Sequence, residues 1–72
     1  MLRINISDCC IKLQNQYYLP LEIGNITSVI DLYLYHNQLT GEIPPEVCDL
    51  IESNNLNIFW ILEGNNLINT CE

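Results

Sequence analysis

The chain has 72 residues, 49% of them hydrophobic, and nine acidic side chains against two basic ones for a net charge of −7. That length allows one small domain, whose core is marginal unless stapled or extended by a partner, while the apolar content excludes general disorder. The acidity argues against nucleic acid and anionic membrane surfaces, which recruit Lys and Arg; it permits a basic or neutral partner, and the scattered acids equally serve solubility.

At the start, Leu2, Ile4 and Ile6 alternate with Arg3, Asn5 and Ser7, which predicts an edge strand. Arg3, Asn5 and Asp8 interrupt the place where a secretory leader needs its apolar region. Asn5-Ile6-Ser7 and Asn25-Ile26-Thr27 fit the N-glycosylation triplet, which carries meaning in a protein exported by eukaryotic cells. Cys9 and Cys10 are adjacent, so a bond between them would strain the backbone. Ile11, Leu13, Gln16 and Tyr18 fit a strand with a few residues missing, with Gln16 in the slot that an asparagine, Asn37, takes in the Leu32 to Leu39 run.

The most informative run is Leu32 to Val47, LYLYHNQLTGEIPPEV. Leu32, Leu34 and Leu39 stand at L-x-L-x-x-N-x-L spacing around Asn37, and Thr40-Gly41-Glu42-Ile43-Pro44 then turns the chain. Pro44 follows Pro20 by 24 residues (44 − 20), and Glu46-Val47 echoes Glu22-Ile23. A fixed period of this size marks a solenoid coil. Alternation puts Leu32 and Leu34 inside and Asp31, Tyr33 and Tyr35 outside. Pro44-Pro45-Glu46 opens a short helical turn, since proline suits a first helical position and an early Glu the positive helix end. Trp60, Leu62, Asn65 and Leu67 repeat the spacing of Leu32, Leu34, Asn37 and Leu39, with Trp60 and Leu62 inward and Phe59 and Ile61 outward. The extra length falls at Ile51 to Leu56, where Ser53-Asn54-Asn55 reads as a loop.

This pattern resembles the plant-type, extracellular leucine-rich repeat. The resemblance implies an α/β fold: a short solenoid with parallel strands on its concave side and short helical turns or loops on its convex side. It gives Asn37 and Asn65 the structural role of the repeat asparagine, whose amide pairs with backbone groups at the bend. Residues 1–18 then form a degenerate N-terminal segment or decayed repeat, and 19–72 the coils with a C-terminal cap. Cys9-Cys10 does not match the family's paired-cysteine N-terminal cap. About two and a half coils can be written, short of the three that such an array usually needs. The chain is therefore expected to be the C-terminal fragment of a longer array, to expose apolar coil ends, and to self-associate through them.

No catalytic constellation is present: His36 has no nucleophile at motif spacing, and glycines are not clustered for phosphate. The chain is expected to be non-enzymatic, with neither cofactor nor metal, since it has no C-x-x-C pair and His36 is not at ligand spacing from any cysteine. The longest apolar stretch, Leu56 to Leu62, is far below the roughly 20 residues of a membrane span. The resemblance points to a protein or peptide ligand on the concave sheet, touching Asp31, Tyr33, Tyr35, His36, Phe59 and Glu63. Aromatic side chains offer contact area at small entropy cost. The competing reading is an end cap of an array with no ligand of its own. In register, Cys71 takes an inward slot of the last coil and Cys48 lies on the helical turn one coil earlier, so a bond between them can close the array. It needs an oxidising compartment, and the alternative is two separate thiols. The chain is extracellular or secreted if it belongs to a longer precursor and cytoplasmic otherwise.

Overall fold

The computed structural model describes residues 2–5, 11–13 and 16–71. Ile6, Ser7, Cys9 and Cys10 lie outside them. The alternating run at the start forms strand β1 (Leu2–Asn5), followed by β2 (Ile11–Leu13), β3 (Gln16–Tyr18) and a 3-10 helix (Leu21–Asn25). Strands β4 (Val29–Tyr33) and β5 (Leu39–Glu42) then lead into helix α1 (Pro45–Ser53), the helical turn α2 (Phe59–Leu62) and strand β6 (Asn66–Ile68). The fold is mixed α/β with two small sheets. In one, β1 runs parallel to β4, with Ile4 opposite Leu32 and Asn5 opposite Tyr33. In the other the order is β2-β3-β5-β6. There β3, β5 and β6 are parallel, and β2 is antiparallel to β3.

The core lies between these sheets and the helices. Val29, Leu34, Leu39, Ile43, Val47 and Ile61 are sealed from solvent, and Leu32 nearly so. Gly41, at φ 84°, lets β5 leave the Leu39 step in a conformation that a side chain would resist. Pro45 then sits at the first position of α1 with Glu46 in its first turn. The helix runs nine residues, longer than the short turn expected, because Val47 and Leu50 both reach the core from one face. It includes Ser53, so the loop begins at Asn54 and runs to Ile58, just before α2. The Asn54 amide donates from there to the carbonyls of Thr27 and Val29, at 3.0 and 2.7 Å, holding the entry to β4.

Two expectations are corrected. Gln16 does not fill an asparagine slot: it is exposed on β3, where its Oε1 accepts from the Tyr18 hydroxyl at 2.8 Å. The strand expected at Trp60 and Leu62 is the helical turn α2, so the inside–outside assignment there changes. Ile61 is fully buried, Leu62 half-buried and Trp60 37% exposed. Ile58 and Ile61, three apart, meet the core together, which a helical turn permits and an alternating strand does not. Asn66–Ile68 joins the sheet as β6.

Cys48 and Cys71 form a disulfide with their Cα atoms 5.1 Å apart. It ties α1 to the segment after β6, beside the Thr70 hydroxyl that donates to the Ile43 carbonyl at 3.0 Å. The bond spans 23 residues of sequence. Removing it with Cys48→Ser/Cys71→Ser is expected to cost about 3 kcal/mol by the loop-closure estimate, read as a lower urea midpoint; an unchanged midpoint would show that the terminus is held without it.

The 3-10 helix and α1 pack closely at Gly24. A Cβ there would sit 2.6 Å from the Glu46 carbonyl oxygen and 2.7 Å from its Cβ. Gly24→Ala is therefore expected to push these elements apart and destabilise by about 1–3 kcal/mol. Chemical denaturation of the variant checks this, and a stability equal to the parent would refute the contact.

Candidate binding face

After Tyr33 the chain leaves the β1–β4 sheet. Leu34 still donates to the Trp60 carbonyl at 2.9 Å, and His36 to the Glu63 carbonyl at 3.0 Å. These two bonds lay the α2 segment alongside the end of β4. The intervening turn is unusual, with His36 at φ 58° and Gln38 at φ 59°, in the left-handed region. Such a turn exposes backbone groups that need partners.

Asn65 supplies them. Its Oδ1 accepts from the Asn37 and Leu39 amides at 2.9 and 3.0 Å. Its Nδ2 donates to the Leu34 and Ile61 carbonyls at 2.8 and 2.7 Å. The buried Asn37 works within its own turn, its Nδ2 donating to the Leu34 carbonyl at 2.9 Å. Gly64, at φ 69°, passes directly beneath His36, and a Cβ at that position would fall on the imidazole ring. The two turns are thus locked by an amide and by a contact that only glycine allows.

This places Tyr33, Tyr35 and His36 beside Phe59, Trp60 and Glu63. The rings form a continuous cluster. Trp60 lies 5.7 Å from Tyr33 and 5.4 Å from Tyr35, centroid to centroid, and Tyr33 lies 6.5 Å from Tyr35. Phe59 adds to Trp60 at 5.0 Å and His36 to Tyr35 at 5.4 Å. Most pairs are edge-to-face, a favourable arrangement for aromatic quadrupoles. The His36 Nε2 is 3.8 Å from a Glu63 carboxylate oxygen, with both side chains solvated, so any ion pair there is weak. Asp31 stands on β4 next to the cluster and pairs with Arg3 of β1 at 3.0 Å.

Five of the six residues expected at the face lie together around the rings, and Asp31 marks its β1 side. Trp60 is the residue that sequence reasoning missed, because the repeat spacing assigned it to the interior. A local signal was present: Asn57 precedes the apolar run Ile58 to Leu62, and its Oδ1 accepts the Phe59 amide at 3.0 Å. An Asx turn of that kind favours starting a helix over continuing a strand. Among the described residues no group of three His, Cys, Asp or Glu side chains is placed to hold a metal ion, and no helix is long and apolar enough to cross a membrane.

No protein-family model matches the chain, and neither a curated protein nor a solved structure does.

Asn65→Ala would take the side-chain partner from the Asn37 and Leu39 amides and the Ile61 carbonyl, and leave the Leu34 carbonyl with Asn37 alone. A loss of about 1–3 kcal/mol is expected for a buried group left unpaired, with Asn65→Asp intermediate because it keeps the acceptor but not the donor. Urea titration of the three proteins checks the order; equal stabilities would mean that the turn holds itself.

Proposed function

We propose that the chain is a non-enzymatic binding module of the leucine-rich-repeat kind, which takes a protein or peptide ligand on the face built by Tyr33, Tyr35, His36, Phe59, Trp60 and Glu63. Three features support the solenoid reading. A first strand recurs as β1 and β4. A second recurs as β3, β5 and β6, running parallel from one to the next. A helix recurs as the 3-10 helix and α1, packed together at Gly24. The asparagines at the bends, Asn37 and Asn65, are 28 residues apart and joined by a hydrogen bond.

The observation that carries the binding reading is the exposure of the ring cluster. Trp60 is 37% and Phe59 50% accessible, although both are large apolar side chains in a small domain. Aromatic groups held by one another and still wet on one side suit an anchor for a partner. Peptides fit this face better than nucleotides or sugar phosphates, because Asp31 and Glu63 border it and Arg3, the basic side chain beside Asp31, is already paired.

A second reading, an end cap that packs only on further coils, has one observation in its favour. Ile68 on the edge strand β6 is 59% exposed, and β6 pairs only with β5 among the described residues.

The test is selection of peptides from a random displayed library on the immobilised chain, followed by calorimetric titration of the enriched sequences. Tyr33→Ala/Trp60→Ala is expected to weaken binding by about thirtyfold, the 2 kcal/mol of a typical hot spot. Unchanged affinity in a double variant with native circular dichroism would remove the face as the site. Enrichment of nothing, or only of peptides blocked by Ile68→Lys, would favour the end-cap reading.

A further inference from the structure

The triplet Asn25-Ile26-Thr27 sits where an N-linked glycan can be carried without disturbing the core. Asn25 closes the 3-10 helix and its side chain is exposed, as is that of Thr27. The residue between them, Ile26, is half-buried against the core. Its backbone turns there, at φ −86° and ψ 69°, with its amide bonded to the Ile23 carbonyl and its own carbonyl accepting from Val29. The triplet is therefore pinned at its centre, with both functional side chains directed outward. By contrast, the amides of Asn37, Asn54 and Asn65 are tied to backbone groups. Beside Asn25 lies a shallow groove of about 300 Å³, walled by Thr27, Glu46, Asp49, Ser53 and Asn54. Its polar rim offers hydrogen-bonding groups to a sugar ring, and no residue of the aromatic face lines it.

A separate observation points to the compartment. The Cys48–Cys71 disulfide forms and persists under oxidising conditions, and in eukaryotic cells the oxidising lumen of the endoplasmic reticulum is also where such triplets are modified.

We propose that Asn25 is an acceptor for an N-linked oligosaccharide, whose first sugar lies over the groove between the 3-10 helix and α1. The donor is a lipid-linked oligosaccharyl diphosphate. The Asn25 Nδ2 forms a bond to the anomeric carbon as that carbon's bond to the diphosphate oxygen breaks. The lipid diphosphate leaves with the bonding electrons, and the amide nitrogen loses one proton; nothing is oxidised or reduced. The inference does not depend on the binding role of the aromatic face.

The experiment translates the full chain behind a cleavable leader in the presence of eukaryotic microsomes, and analyses only lumenal, protease-protected material with the disulfide closed. Mass spectrometry after peptide N-glycosidase treatment in heavy-oxygen water reads the modification at Asn25 separately from that at Asn5. The parent and Asn5→Gln are expected to carry a glycan at Asn25 in most molecules. Thr27→Val is expected to lose it while remaining lumenal and disulfide-closed. An unmodified Asn25 in the lumenal parent, or a glycan that persists in Thr27→Val, overturns the proposal. For placement, proton-exchange rates of the α1 amides are compared between the parent trimmed enzymatically to one sugar and the unglycosylated Thr27→Val. Slower exchange at Glu46 to Ser53 in the glycosylated form is expected, and identical rates would overturn the placement of the sugar over the groove.

Discussion

Between Leu34 and Leu39 the backbone leaves its sheet and turns through two left-handed residues, which strips its amides and carbonyls of strand partners. The Asn65 carboxamide replaces them, accepting from Asn37 and Leu39 and donating to Leu34 and Ile61. A carboxamide suits the task because it presents acceptor and donor side by side at fixed separation. A carboxylate would lack the donor and an aliphatic residue would lack both. Together with the Leu34 and His36 amides bonded to the Trp60 and Glu63 carbonyls, it holds α2 against β4, seats Gly64 under His36 and sets Trp60 against Tyr33 and Tyr35.

Stability on the opposite side has a different origin. There the 3-10 helix and α1 touch through the missing side chain of Gly24, and Val47 and Leu50 carry α1 into the core. A chain of this length buries a small apolar surface relative to its ordering entropy. Constraints that act on the unfolded chain therefore matter more than in a larger domain. The disulfide is one such constraint, and it closes the end at which β6 offers an open edge.

The acidic balance and the aromatic cluster act at different ranges. With a net charge of −7, the chain attracts basic partners over a Debye length but cannot choose among them. The rings act only on contact, where shape and desolvation discriminate. On the proposed binding reading, Glu63 is the carboxylate at the border of the rings that remains solvated, beside His36, while Asp31 is already paired with Arg3.

The linear order of residues determined much of this by itself. The interior positions Leu32 and Leu34 followed from their spacing, because alternation acts over a few residues. The helix start at Pro45 was legible from local chemistry as well, and the bend at Asn37 from the resemblance to the repeat, whereas Gly41, read as a turn, lies within strand β5. The Cys48–Cys71 bond stood open in the sequence against two separate thiols, and the fold closed it by bringing the Cα atoms to 5.1 Å. The tertiary structure alone decided what becomes of Ile58 to Leu62. As a run of consecutive apolar residues it has no period that separates strand from helix, and copying the earlier spacing made it a strand. The outcome was set by which side chains met the core: Ile58 and Ile61 together, through one helical turn. That choice brought Trp60 out to the surface, and with it the centre of the aromatic face. The pairing of β2 with β3, the exposed place of Gln16 and the joining of β6 to β5 were likewise beyond local reading, because each depends on a strand brought alongside by the rest of the fold.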